Sequence, residues 1–207
     1  MSGTKNLLIF GFGGHARSVA DVALTLGFQQ LMFIDENAVN NEQFLGFPVQ
    51  RNCDPVLPSG WLCMPASGDN HRRDLQTHAA LMAGWALAIL IAPSATVGVG
   101  AKVSPGCFVG HHAHIGAMAQ IGIGCVINTG AVVEHECVIG DYVHISVNAT
   151  VAGRAHIGNF VWIGAGATVI DKVGIAAEST IGAGGVVISS LTRSGTYVGV
   201  PVRRINA

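Results

Sequence analysis

Apolar residues recur every six positions through the second half of the chain. Stepping by six from Ile91 to Val187, through Val109, Ile127, Ile145, Ile163 and Ile181, every stop is Ile or Val. A second register, two places ahead of the first, holds small residues such as Ala95, Cys107, Ala113, Cys125, Ala131, Cys137, Ala149 and Ala167. The pattern is the hexapeptide signature of a parallel β-helix, in which six residues make one flat face and three faces make a triangular coil of about eighteen residues. Neighbouring coils then pair as parallel strands ~4.8 Å apart, and each inward Ile or Val contributes roughly 1.5–3 kcal/mol by burial. Periodicity leaves the hand of the coil open, although ordinary parallel crossovers are right-handed.

Residues 1–88 lack the period. There NLLIF predicts a buried strand, and GFGGHARSVADVALTLG a turn opening a helix that Gly27 closes. QLMFIDE predicts a second strand, and GWLCMPASGDNHRRDLQTHAALM a third strand, a loop and a helix. This alternation predicts a small Rossmann-like βαβαβ unit on a parallel sheet. Three segments follow: an α/β domain over 1–88, a β-helix over 89–190 and a short C-terminal tail over 191–207. Gly11, Gly13 and Ala16 match G-x-G-x-x-G/A between a strand and a helix, where bare backbone and a helix N-terminus favour a phosphate. Asp35 ends the second strand, where a carboxylate accepts bonds from a ribose or base edge. The same glycines would also serve a plain tight turn. With one mononucleotide half instead of two, the domain fits a nucleotide-linked substrate better than NAD.

Composition narrows the classes further. Half of the 207 residues are hydrophobic (50%), 11% are charged and the net charge is −1. Such a chain offers neither a nucleic-acid surface nor a polybasic membrane patch, and it is too apolar for disorder. The run AALMAGWALAILIAP at 79–93 is too short to span a bilayer comfortably. The N-terminus makes no convincing signal peptide, so a cytoplasmic protein without membrane insertion is expected. Cys53, Cys63, Cys107, Cys125 and Cys137 contain no CxxC pair and predict free thiols in a reducing compartment. Cys107 and Cys125 should stack one coil apart as small apolar packing.

One stretch departs from the apolar habit. In VVEHECVIGDYVHISVN, residues 132–148, Glu134, His135 and Glu136 stand consecutively. A solvated corner of the prism would tolerate such charge, so the cluster alone leaves its purpose open.

The segments GFGGHARSVADVA, FIDE, SGDNHRR, VINTGAVVEHECVIGDYVHIS and GVPVRRI, with the uninterrupted repeat, resemble bacterial nucleotide-sugar acetyltransferases. These comprise UDP-4-amino-sugar N-acetyltransferases and the related sialic acid O-acetyltransferases. The resemblance covers nearly the whole chain and is most specific over 126–153. It implies a left-handed parallel β-helix, a homotrimer, and acetyl-CoA as co-substrate in the cleft between neighbouring prisms, with no metal. The implied reaction is acetyl transfer to the amine of a UDP-linked 4-amino-dideoxy sugar, in surface glycan or glycoprotein biosynthesis. The family's catalytic His, followed by an acid, falls on His135 and Glu136, and a polar residue near the reacting amine falls on Asn128. His144 matches a position that contacts acetyl-CoA, while Ala165 and Ala183 fall where backbone groups meet the CoA arm. By the same resemblance Gly13, Gly14 and His15 hold the phosphates and Asp35 and Glu36 the uridine, with Ser67 and Gly68 at the carboxyl edge of the sheet. Ala92 departs from the family, which often carries a histidine before that proline.

The chemistry suits these residues. A protonated sugar amine cannot attack a thioester, so a base must take the proton as the bond forms. Histidine titrates near physiological pH, and a neighbouring carboxylate raises its basicity and holds its tautomer. Zinc-dependent carbonic anhydrases share the predicted fold, but their three imidazole ligands need spacings that the histidines of this repeat do not provide. A non-catalytic trimeric scaffold with a ligand-sensing domain would explain the architecture and leave Glu134–Glu136 without a purpose.

Overall fold

The computed structural model of the chain describes residues 5–52 and 60–205, so Cys53 lies outside the described residues. The chain divides into two compact units, Met1–Leu90 and Ile91–Ala207. In the first, β1 (Lys5–Phe10), α1 (Gly14–Thr25) and β2 (Phe28–Ile34) precede a hairpin of β3 (Gln43–Phe44) and β4 (Phe47–Gln50). Then come β5 (Trp61–Pro65) and α2 (Asn70–Met82). The sheet order is β3-β4-β2-β1-β5. β1 pairs in parallel with β2 and β5, and Leu7, Leu8 and Ile9 are fully buried. A strand covered on both faces needs such an unbroken apolar run.

Between β2 and β5 the described residues form the β3–β4 hairpin and no second crossover helix. α2 instead follows β5, and the chain after it closes on that strand through a parallel bridge from Leu87 to Cys63. The hairpin turns at Leu45–Gly46, with φ of 52° and 84°. It lacks the Asn-Gly pair that marks such turns in a sequence. At the carboxyl edge of the sheet, the turn after β1, the end of β2 and the loop after β5 come together, as expected of an open α/β sheet that binds a ligand.

The second unit is a parallel β-helix. Strands such as Phe108–Val109, Val126–Ile127 and His144–Ile145 pair in parallel on a first face. Thr96–Val97, His114–Ile115 and Val132–Val133 pair on a second, and Lys102–Val103, Gln120–Ile121 and Val138–Ile139 on a third. The predicted inward residues from Val109 to Val187 form one buried core, with the small-residue register packed among them. Val97, in the end coil, keeps 41% of its surface because no further coil covers it on one side. Thr196–Val198 adds in parallel to Thr180–Ile181 and pairs antiparallel with Arg203–Ile205. Tyr197 and Val202 thereby enter the core, and the tail closes the last coil.

A third register appears only in three dimensions. Every six residues, from Gly100 through Met118, Glu136, Arg154 and Lys172 to Gly184, the backbone takes a left-handed φ at a corner of the prism. Glycine fills some of these positions, and the others are long, polar or aromatic. None is β-branched, in keeping with the steric cost of that conformation for Val, Ile and Thr.

Candidate active site

Two side-chain constellations stand out, one in each unit. In the α/β unit a cavity of about 290 Å³ is lined by Gly11 to His15, Asp35, Asn37, Ala66, Ser67, Gly68, Arg72 and Gln76. α1 starts at this cavity with Gly13 as its N-cap and no side-chain cap, leaving its first N–H groups for an anion. A Cβ on Gly13 or Gly14 would meet no atom within 4 Å, so their bareness serves the open cavity and not internal packing. Asp35 braces the cradle: its Oδ2 accepts from Phe12 N at 2.8 Å and its Oδ1 from Asn37 N at 2.9 Å. Each oxygen retains a lone pair for a ligand.

The opposite wall is held from α2. Arg73 is fully buried; its guanidinium donates to Ser67 O at 2.9 Å, to Gly68 O at 3.4 Å and to Asn70 Oδ1 at 2.8 Å. Gln76 Oε1 accepts from Ser67 N at 3.0 Å. Asp69 caps α2 by accepting from Arg72 N at 2.8 Å. Glu36 stands outside this cavity. It lines a neighbouring one of about 250 Å³ with Arg51 and Arg72, and its carboxylate pairs with the Arg72 guanidinium. Arg72, Arg73, Gln76 and Asn37 escaped the sequence reading, although SGDNHRR contains the first two.

In the β-helix, His135 and Glu136 occupy the corner between the second and third faces, after Val132–Val133. His135 Nδ1 lies 3.0 Å from Glu136 Oε2, and both side chains are about half exposed. The same oxygen accepts from Arg154 Nε at 2.9 Å, one coil further on. The His135 hydrogen bond and then Arg154 hold the Glu136 carboxyl below the usual carboxylate range. As an ionised carboxylate only accepts, the His135 ring donates from Nδ1, and in the neutral imidazole that leaves the lone pair on Nε2. A Cβ on Gly153 would come within 2.6 Å of that Nε2, so the imidazole lies against a glycine that makes room for it. Glu134 Oε2 accepts from His135 N at 3.3 Å, which steadies the turn. Gly153 and Arg154 were missed in the sequence, yet each is one coil beyond His135 and Glu136 in the same register.

Asn128, Ala165 and Ala183 belong to the neighbouring corner, between the first and second faces, while His144 lies on the first-face strand His144–Ile145 that leads into it. Asn128 Oδ1 accepts from Thr129 N at 2.8 Å, and its Nδ2 lies 3.4 Å from His144 Nε2. The His144 ring stacks on Trp162 with centroids 4.4 Å apart and is 5% exposed. It therefore seats Asn128 and offers little surface of its own. Thr129, Val147, Ala165 and Ala183 stack coil on coil through backbone bonds, such as Gly184 N to Ala165 O at 2.8 Å, and form an exposed ridge. Within the β-helix the sequence-predicted residues thus fall into two groups, His135 and Glu136 at one corner and the others at or beside the preceding one.

Cys137 faces the core; burial pushes its thiol pKa up, and its Sγ donates to Ala152 O at 3.1 Å. Among the described residues no group of three or more His, Cys, Asp or Glu could hold a metal ion. Among the same residues no helix is long and apolar enough to cross a membrane.

Comparison with known proteins bears on both units. The PglD N-terminal domain family matches residues 6–76. The acetyltransferase domain of PglB from Neisseria gonorrhoeae is 30% identical, with a TM-score of 0.89 over 98% of this chain and 100% of that one. PerB from Caulobacter crescentus, solved with CoA and GDP-perosamine, is 32% identical, with a TM-score of 0.88 over 100% of this chain and 99% of that one. WeeI from Acinetobacter baumannii, at 23% identity and a TM-score of 0.84 over 98% of this chain and 100% of that one, shares the fold. Comparison with curated protein sequences gave no match. An α/β cradle followed by a hexapeptide β-helix, matched over nearly the whole chain by the PglB domain and PerB, defines a hexapeptide-repeat acyltransferase. Within that class, the chain belongs to the sugar N-acetyltransferase family of the PglB domain and PerB.

Proposed function

We propose that the protein moves acetyl from acetyl-CoA directly to the amine of a UDP-linked 4-amino-dideoxy sugar, with His135 as general base. The observation that carries this reading is the 3.0 Å contact between His135 Nδ1 and Glu136 Oε2, which leaves Nε2 ready to accept a proton. The amine nitrogen would attack the thioester carbonyl carbon as Nε2 takes the amine proton. The C–S bond then breaks, and the proton passes to the departing CoA sulfur. Asn128, seated by Thr129 and His144, would flank the amine. Cys137 does not offer the nucleophile for a covalent acetyl-enzyme, since its thiol is buried with its pKa raised.

In the α/β unit, Gly13, Gly14 and His15 would take the diphosphate, Asp35 and Glu36 the nucleoside, and Ser67 and Gly68 the far wall. Ala165 and Ala183 would lie along the CoA arm in a homotrimer. Support for the donor comes from the gonococcal PglB domain solved with acetyl coenzyme A, and for a nucleotide-linked amino sugar from PerB with GDP-perosamine. The test is a panel of UDP- and GDP-linked amino sugars and CMP-sialic acid, each incubated with protein and acetyl-CoA and read by mass spectrometry and CoA thiol release. The reading expects a UDP-4-amino sugar to be acetylated on nitrogen. Acetylation of the sialic acid hydroxyl alone, or no transfer to any amine, would sink it.

A further inference from the structure

Arg154 stands in the His135–Glu136 cluster, and the proposed transfer gives it no task. Its Nε and its terminal nitrogen both reach Glu136 Oε2 at 2.9 Å, the oxygen that also faces His135 Nδ1 at 3.0 Å. One carboxylate oxygen therefore meets three N–H groups, two of them from a permanent cation. We infer that Arg154 is a positioning residue: it clamps Glu136 and offsets its charge, so that the carboxylate orients His135 without holding it protonated. This inference rests on His135 being the base.

A carboxylate beside an imidazole has two effects. It fixes the ring and tautomer, which helps a base, and it favours the imidazolium, which hinders one near neutral pH. A guanidinium on the same oxygen keeps the first effect and opposes the second by Coulomb repulsion. The lowered pKa of Glu136, to which Arg154 contributes after His135, agrees with a carboxylate that stays ionised and only accepts. The corner geometry makes the clamp possible. Glu136 and Arg154 both sit at left-handed positions, with φ of 58° and 61°, one directly above the other.

The surrounding charges do not replace it. Glu134, on the same turn, is acidic and engages the backbone N–H of His135. The coil on the other side brings Ala117 and Met118, which do not titrate, and Gly153 adds no charge. Two coils beyond Glu136, Lys172 is paired with Asp171 at 3.6 Å. The Cys137 thiol faces the core and stays protonated.

The test is the pH profile of kcat/KM for the acceptor in the parent, Arg154→Ala, Arg154→Lys and His135→Ala proteins, where titration of the sugar amine is common to all. Arg154→Ala should move the acid limb up by roughly 0.2 to 0.7 unit, the scale of an exposed charge pair. At neutral pH that is about a 1.5- to fivefold loss, recovered at alkaline pH. Arg154→Lys should return the limb most of the way, because it keeps the charge, and leave a lower plateau for want of the planar fork. A limb that stays in place in Arg154→Ala, or a loss equal at every pH, overturns the inference. If His135→Ala keeps the parental limb, the base assignment itself fails. If His135→Ala loses it and Arg154→Ala does not move it, only the role of Arg154 falls.

Discussion

One missing methyl group gives the imidazole of His135 its place. Gly153 has no left-handed φ to justify it, yet a Cβ there would meet His135 Nε2 at 2.6 Å. Gly153→Ala should therefore displace the ring while leaving the coil intact. A misplaced catalytic group commonly costs on the order of 10²-fold, so kcat should fall on that scale with the unfolding midpoint unchanged; near-parental kcat would show that the ring tolerates the methyl. Glu136 has a depressed pKa, so it is ionised above the ordinary carboxylate range and loses its charge only as pH falls through a still lower value. Protonation of Glu136 therefore does not set an acid limb near neutrality. Glu136→Ala should cost less than His135→Ala at every pH, as measured by initial rates, because the imidazole loses its orienting partner but stays in the site. At this scale the sequence shows His135 and Glu136 because they are adjacent. It hides Gly153 and Arg154 because their proximity exists only once the chain has gone round a full coil.

At the scale of elements, the Ile/Val ladder carries the β-helix. Ile145 is fully buried among inward residues of the coils on either side, so Ile145→Ala should destabilise by about 2–5 kcal/mol in urea unfolding. A cost below about 1 kcal/mol would mean that neighbouring coils collapse into the gap. The ladder was legible because one residue type recurs at one spacing over the whole unit. The corner register was not, because left-handed φ is met by residues as different as Gly130, Glu136, Tyr142 and Lys172, and no composition marks it. The β3–β4 hairpin escaped for a related reason: β3 has two residues, too few for any period. The nucleotide cradle was partly legible. Its glycines form a motif, whereas Arg73 acts through backbone carbonyls of Ser67 and Gly68 that no pattern announces. Arg73→Ala should raise the KM for the sugar nucleotide and leave that for acetyl-CoA near parental in steady-state kinetics.

For the whole molecule, the β-helix exposes apolar residues that a single chain does not cover. Val99 is 85% exposed, Met118 59% and Val147 41%, on a unit with few charges to solvate it. Closed cyclic assembly is the common solution, and light scattering should give the mass of a trimer for the parent and for His135→Ala alike; a monomer mass at working concentration would contradict it. The two corners that carry Asn128 and His135 would then contribute to clefts between neighbouring chains. The central claim is that this sugar N-acetyltransferase works by direct transfer with His135 as its base. It is tested most directly by turnover of His135→Ala at saturating acetyl-CoA and amino-sugar acceptor, followed by CoA thiol release. The account predicts a loss of roughly 10²–10⁴-fold, the usual worth of a general base, with the trimer and acetyl-CoA affinity retained. Turnover close to that of the parent would contradict it.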